Sequence, residues 1–321
     1  MTNRTFKLDG QNLKGIWAGP PTFWDEDFRL DEEATAENFR RICRIPPHGI
    51  YILGSTGEFY ALDFEEFKQL ADLFIEAVSP FQIPTEVGCG ATSTREIVRR
   101  IQYAWEKGAD GVQVTLPYWS ELSDREILHF FRELHHSCPD TPIIHYNIPR
   151  AKRFLTGGDY RRILEVCPSL IGVKFTYSGS HFGVLQESIK TTPQLSYFVG
   201  ENLLASAMQV GAKGSCSSLI YVIPRVILAL YENAERGEWN EAMQLQQKIA
   251  EFLSDCFQFW EECGMGTFDP VVDTGMGLAS GFLRGHPRVR SPYIGWTEEE
   301  VGKFREWLKE HYGHLLVSTS V

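Results

Sequence analysis

The sequence predicts a closed (β/α)8 barrel with a C-terminal helical extension, an α/β fold. Three observations carry that expectation. From residue 14 to about 235, short apolar runs alternate with amphipathic segments, eight of each kind. Most of the runs are rich in Val, Ile or aromatics and of strand length, as parallel strands buried on both faces require. No G-x-G-x-x-G follows the first run and no Walker A motif occurs, so the fingerprints of the competing open, doubly wound sheet are missing.

The strand candidates are GIWAG (15–19), GIYILG (49–54), PTEVGCG (84–90), GVQVTLP (111–117), PIIHYNIP (142–149), LIGVKFT (170–176), LSYFVG (195–200) and AKGSCSS (212–218). Between them, TREIVRRIQYAWEKGAD has helical period: Ile97, Val98, Ile101, Ala104 and Trp105 share a face, leaving Arg95, Arg99, Arg100 and Glu106 for water. Ser93 or Thr94 suits the N-cap and Gly108 the C-terminal stop. The segments beginning DEEATAENF, DFEEFKQL and DREILHFF repeat the acidic start and apolar stripe. The barrel is expected over residues 12–235 and a helical extension over 236–321. In the extension, WNEAMQLQQKIAEFLSDCFQFW reads as one or two long helices, 264–285 as a Gly-rich stretch, and WTEEE as a capped helix start at Thr297.

Composition narrows the function. The 321 residues carry a formal charge of -11. Such a surface repels a phosphate backbone, and no basic block offers a local exception, so nucleic acid is not an expected partner. No run approaches the ~18 apolar residues of a membrane span, and MTNRTFKLDG has no apolar signal-peptide core. Seven cysteines, none in a C-x-x-C pair, suit a reduced, cytoplasmic protein without a zinc site.

In a barrel the chemistry belongs at the C-terminal ends of the strands. There the sequence offers Ser55, Thr56 and Glu58, then Tyr118 and Trp119, Tyr146 and Asn147, Lys174 and Thr176, Glu201 and Asn202, and Ser215, Ser217 and Ser218. Lys174 lies in an otherwise apolar run. Desolvation would lower its pKa and make it an amine nucleophile for a carbonyl carbon; the competing reading is a lysine that snorkels to solvent. A phenol such as Tyr146 can relay protons, or simply be a core tyrosine. GSTGE (54–58) can form a tight turn whose N–H groups and two hydroxyls hold a small anion, or an ordinary turn.

GSTGE at 54, LPYW at 116, YNIP at 146 and GVKFT at 172 stand in the order found in one family. Over about residues 12–235 the chain resembles the pyruvate-dependent class I aldolases of the dihydrodipicolinate synthase and N-acetylneuraminate lyase group. The resemblance implies that Lys174 forms a covalent imine with a 2-oxo acid, so that no separate cofactor is needed, and that Tyr146 transfers protons. Ser55 and Thr56 would hold the pyruvate carboxylate, with the main chain near Cys216 lining that pocket. Glu201 and Ser218 match positions that touch the variable substrate, and Trp119, Thr176 and Asn202 are further substrate-binding candidates. The partners implied are pyruvate plus an aldehyde, and the assembly a homotetramer.

Departures bear on the aldehyde. Many synthases of the group have tyrosine where Trp119 stands, and an indole cannot accept a proton in a relay. Their entrance arginine falls at Ala151; Arg150 is adjacent but need not point the same way. The usual Gly-Asp-Glu run appears as Gly200-Glu201-Asn202. The first two changes speak against the synthases and the third against the sugar-acid lyases, although a polyol could still bind through Glu201, Asn202 and Ser218; a 2-keto-3-deoxy sugar acid is the leading substrate class. Hydratase-aldolases of arylidene pyruvates are the alternative, because they share a tryptophan after the fourth strand and a Pro-Tyr tail segment, here SPYIGW at 291–296. In that branch Phe23, Trp24, Phe59, Tyr60 and Trp119 would line an aromatic pocket. A synthase-like condensation, a non-catalytic barrel, and a phosphate-binding barrel using AKGSCSS are the remaining readings.

Overall fold

The apolar runs form short strands whose side chains alternate between the inside and the outside of a closed cylinder. In the computed structural model these strands are β1 (Gly15–Ala18), β2 (Gly49–Ile52), β3 (Thr85–Gly88), β4 (Gly111–Val114), β5 (Ile143–Asn147), β6 (Leu170–Phe175), β7 (Ser196–Val199) and β8 (Gly214–Ser217). They pair in parallel in sequence order, and β8 closes onto β1. Residues 6–176 and 181–316 are described; residues 1–5 and 317–321, the ends of the N-terminal segment and of the expected extension, lie outside them.

Eight helices follow the strands in turn: α1 (Glu32–Cys43), α2 (Phe64–Val78), α3 (Thr94–Lys107), α4 (Asp124–Ser137), α5 (Gly157–Leu164), α6 (Phe182–Thr191), α7 (Leu204–Gln209) and α8 (Pro224–Glu235). The cap expected at α3 is present, since Ser93 Oγ accepts from Glu96 N and Gly108 ends the helix at φ 106°. Arg100 departs from expectation. It is buried rather than facing water, with Nη1 donating to the carbonyls of Phe59 and Gly90 and Nη2 to that of Leu62. A guanidinium with its donors filled by carbonyls can be buried where a bare charge could not.

Strand register fixes what points inward. Tyr51 is aligned with Glu86, Gln113 with Ile144, Tyr146 with Lys174, Lys174 with Phe198, and Trp17 with Cys216. Trp17, Tyr51, Ile144 and Phe198 pack in one cluster inside the barrel, and Ile16, Ile50, Val87, Val112 and Val173 pack in the larger core beneath the helices. Aligned neighbours on parallel strands share a face, so Glu86, Gln113, Tyr146 and Lys174 enter the same interior as Tyr51.

The extension is more ordered than its sequence suggests. It contains one unbroken helix, α9 (Trp239–Glu262), then α10 (Asp269–Ala279) and α11 (Glu298–Tyr312). The Gly-rich stretch thus holds a helix, and every residue of α10 after Asp269 is buried. Small residues permit this: a Cβ on Gly275 would lie 2.0 Å from the Trp296 ring. With no bulky apolar stripe, the helical period of α10 is hard to read.

Candidate active site

The β2 run ends in the GSTGE turn. Gly57 N bonds to Gly54 O and Glu58 N to Ser55 O, each at 3.1 Å. A Cβ on Gly57 would come within 2.7 Å of Leu53 N, so glycine is required for the turn to close. The turn presents Ser55 and Thr56 at the C-terminal end of the barrel. Glu58 does not join them. Its carboxylate accepts from Trp24 Nε1 at 2.7 Å and Arg290 N at 2.8 Å, a structural tie between the turn and the extension.

Lys174 and Tyr146 are aligned across β5 and β6. The Lys174 ammonium is 4.1 Å from the Tyr146 ring centroid, and Nζ donates to Tyr51 Oη at 3.1 Å. Ser55 Oγ and Tyr146 Oη share a hydrogen bond at 3.3 Å. Lysine and tyrosine are both buried.

The electrostatics differ from the sequence expectation. Burial works against the ammonium, but Tyr146, Tyr51 and Cys216 favour it, and the Lys174 pKa lies well above the ordinary lysine value rather than below it. Burial pushes the Tyr51 phenol well above its usual range and the Cys216 thiol up to about 12. With these groups neutral, the ammonium is received by the Tyr51 hydroxyl and by the faces of the Tyr51 and Tyr146 rings. Glu86, beneath it, has its pKa raised by burial to about 7, against the Gln113 hydrogen bond at 2.6 Å and the charge of Lys174.

The other candidate residues divide. Glu201 Oε1 accepts from Ser217 Oγ at 2.7 Å and from the N–H groups of Ser218 and Leu219 at 3.1 Å each. The cradle that a phosphate would need after β8 is thus filled by an internal carboxylate. Thr176 and Asn202 line a depression of about 430 Å³ with Arg150 and Asp269. Trp119 is 79% exposed and lies outside the cavity beside Tyr146; its carbonyl accepts from Lys152 Nζ. Phe23 and Trp24 are buried in the core rather than lining a pocket.

That cavity, about 250 Å³, is nonetheless aromatic. Phe59 and Tyr60 line it as expected, together with Tyr118, one of the strand-end candidates, with Phe268 and Tyr293, for which the sequence gives no such place, and with Tyr146 and Ser55. Phe268 and Tyr293, both from the extension, stack at 4.1 Å. Arg150 does point into the site: Nη1 donates to Ser55 Oγ at 3.2 Å and pairs with Asp269 at 2.6 Å. Asp273, also from the extension, accepts from the Thr56 hydroxyl. Two of the inward groups had a signal in the sequence. Glu86 is an acid in an apolar run, as Lys174 is a base in one, and strict alternation puts Tyr51 inward. The groups supplied by α10 had none.

The model of the dihydrodipicolinate synthetase family matches residues 12–311. The chain belongs to this family. Its chemistry is that of class I pyruvate-dependent aldolases and lyases. The chain is 29% identical to an uncharacterized DapA-like lyase of Halobacterium salinarum, over 91% of this chain and 92% of that protein. It is 27% identical to a 4-hydroxy-tetrahydrodipicolinate synthase of Ehrlichia canis, over 93% and 97% respectively. Among solved structures, YagE of E. coli in complex with pyruvate superposes with a TM-score of 0.82 at 24% identity, covering 93% of this chain and 98% of that one. N-acetylneuraminate lyase of Mycoplasma synoviae gives 0.81 at 22%, covering 94% and 98%. At these identities the structures speak for the fold alone. Among the described residues no helix is long and apolar enough to cross a membrane, and no group of three or more His, Cys, Asp or Glu could hold a metal.

Proposed function

We propose that the protein is a Schiff-base-forming lyase that makes or breaks a carbon–carbon bond between pyruvate and an aldehyde, with Lys174 as the imine-forming residue. One observation carries this: Lys174 stands buried between Tyr51 and Tyr146, with the Ser55 hydroxyl on the Tyr146 phenol. The amine must shed a proton before it attacks the ketone, and Glu86 is a carboxyl able to hold that proton near neutral pH. Attack gives a carbinolamine; Tyr146 protonates its hydroxyl, water leaves, and the iminium forms. The iminium accepts the electron pair released when the bond between carbons three and four breaks, giving the enamine. Tyr146 takes the proton of the hydroxyl on carbon four in that step and can return one to the enamine; an arylidene pyruvate gains that hydroxyl first, when water adds across its carbon three–carbon four double bond, conjugated with the iminium. Ser55 and Thr56 hold the substrate carboxylate and so fix the reacting carbons.

The substrate is a 2-oxo acid, either a 2-keto-3-deoxy sugar acid or an arylidene pyruvate. The aromatic cavity favours the second. It offers planar apolar walls to the aldehyde half, and the buried Tyr60 hydroxyl and Thr115 Oγ1 at its lining have no protein partner, as a polar substituent on an aryl ring would require. The groups suited to a polyol are engaged or lie elsewhere: Glu201 Oε1 accepts from the Ser217 hydroxyl and from two backbone N–H groups, and Thr176 and Asn202 lie in the second depression. A homotetramer remains part of the proposal, to be checked by light scattering.

Pyruvate and borohydride should leave a covalent adduct visible by intact mass, absent from Lys174→Ala. No adduct on the wild-type protein, or one that survives that substitution, would overturn the mechanism. Release of pyruvate from sugar acids, N-acetylneuraminate, 4-hydroxy-2-oxoglutarate and arylidene pyruvates, coupled to lactate dehydrogenase, separates the substrate classes. Turnover of sugar acids without turnover of arylidene pyruvates would reject the aryl reading.

A further inference from the structure

Asp273 stands where the Schiff-base reading has least room for it. It lies on α10, is 8% exposed, and accepts the hydrogen of the Thr56 hydroxyl. The Ser218 side chain also faces it. No compensating cation reaches it among the described ion pairs; Arg150, the cation at this mouth, is bound to Asp269. Around Asp273 stand Thr56 after β2, Glu201 after β7, Ser218 and Tyr221 after β8, and Asp269 one turn earlier on α10. Two of these are further carboxylates and none is basic. Burial raises the Asp273 carboxyl to about 7, Asp269 adds to the rise, and the hydroxyls of Thr56 and Ser218 oppose it.

Counting hydrogens gives the consequence. A threonine hydroxyl has one. While Asp273 is ionised it takes that hydrogen, so a substrate carboxylate arriving at Ser55 and Thr56 meets an oxygen lone pair and a buried negative charge. When Asp273 is protonated its own O–H donates to Thr56 Oγ1, and the Thr56 hydrogen is released for the substrate. We propose that Asp273 couples substrate binding to protonation: each 2-oxo acid carboxylate that docks on Thr56 brings one proton into the site, and Asp273 holds it. Asp273 thereby sets the pH range in which the protein binds its substrate. This rests on the proposed role of Ser55 and Thr56, and it adds a positioning residue supplied by the extension rather than by the barrel. Conversion of a lysine ammonium to an iminium releases no net proton, so the Asp273 proton is separable from imine formation.

The test compares wild type with Asp273→Asn. The carboxamide donates permanently to Thr56 Oγ1, which mimics the protonated acid. Pyruvate affinity is measured from pH 6 to 9 by borohydride trapping, and proton uptake at pH 8 by calorimetry in buffers of different ionisation enthalpy. Wild-type affinity should fall about tenfold per pH unit above neutrality beyond any slope shared with the variant, with about one more proton taken up per site than in Asp273→Asn. The variant should bind pyruvate more tightly than wild type at pH 9, a gain that a merely structural aspartate would not give. If Asp273→Asn does not fold, Thr56→Val removes the same coupling and Thr56→Ser keeps it. Equal pH slopes and equal proton uptake in the compared proteins, with adducts forming in each, would overturn the role of Asp273 and leave the lysine mechanism standing. No adduct in any protein at any pH would overturn both, through Lys174.

Discussion

The mouth of the barrel has two walls of different origin. One is made of strand ends and the turns that follow them: Ser55, Thr56, Tyr146 and Lys174. The other comes from the extension: Phe268, Asp269, Asp273 and Tyr293. The strand wall holds its groups by ladder register, so a lysine and a tyrosine on adjacent strands must face each other. The extension wall depends on helix seating and on a few long-range contacts. The first wall therefore suits chemistry that tolerates no displacement, and the second suits discrimination among substrates. Each substitution below acts on one wall and asks whether the other notices.

The largest effect should come from Tyr146→Phe. A positioned acid–base group contributes ~10²–10⁴-fold, so kcat should fall by about that factor while the phenyl ring still fills the space beside Lys174. KM for arylidene pyruvates should change little, because the extension wall is intact. Steady-state kinetics on one substrate of each class checks this; a loss confined to KM would mean that Tyr146 packs rather than transfers protons.

The same division explains what the sequence made legible. Alternation along LIGVKFT and IIHYNIP is enough to place Lys174 and Tyr146 inside the barrel, and GSTGE needs glycine at 57 for a local steric reason. The direction of the Lys174 pKa was not legible, because Tyr51 and Cys216 meet it only after closure of the barrel. The place of Trp119 after β4 predicts a pocket residue, yet it turns outward while its neighbour Tyr118 turns in. The direction of Arg150 is not legible in the sequence, since the three-residue turn from Pro149 to Ala151 sets it. Asp273 lies more than two hundred residues along the chain from Thr56, in a stretch whose glycines disguise its helix.

A smaller effect is expected at Arg290, which seats the extension. Its guanidinium lies 3.9 Å over the Trp24 ring, pairs with Glu66, and donates to the carbonyls of Ala61 and Phe28. Hydrogen bonds involving a charged group contribute ~1.5–3 kcal/mol each, and water restores part of that, so Arg290→Ala should lose about 2–3 kcal/mol of stability. The loss should depend on pH in a known direction. The Arg290 hydrogen bond holds the Glu66 carboxyl below its ordinary range. A carboxylate depressed by folding stabilises the protein above its unfolded pKa, and that contribution disappears as pH falls through the folded value. The gap in denaturation midpoint between wild type and Arg290→Ala should therefore narrow at acid pH by the Glu66 share, while the share from the carbonyls and the Trp24 ring remains. KM for arylidene pyruvates should rise with the displacement of Tyr293, while the pyruvate adduct on Lys174 forms as before. Loss of the adduct would show that the two walls are not separable.

The smallest effect should come from Thr297→Ala, which removes the cap of α11. Thr297 Oγ1 accepts from Glu300 N at 3.1 Å, and Thr297 N donates to Glu300 Oε2 at 2.6 Å. Losing such a cap costs about 1 kcal/mol. What matters is where the cost should not go. Trp296, just before the cap, donates from Nε1 to Gly266 O at 2.9 Å and lies against Gly275 of α10, two residues from Asp273. Those contacts do not use the Thr297 hydroxyl, so Trp296 should keep α10 seated while the start of α11 frays. Thermal unfolding should shift by a few degrees at most, with the pH profile of pyruvate binding and the preference among aldehydes unchanged. A shift in either property would mean that α11 helps to hold Asp273, and that the extension wall reaches a helix further from the barrel than its direct contacts indicate.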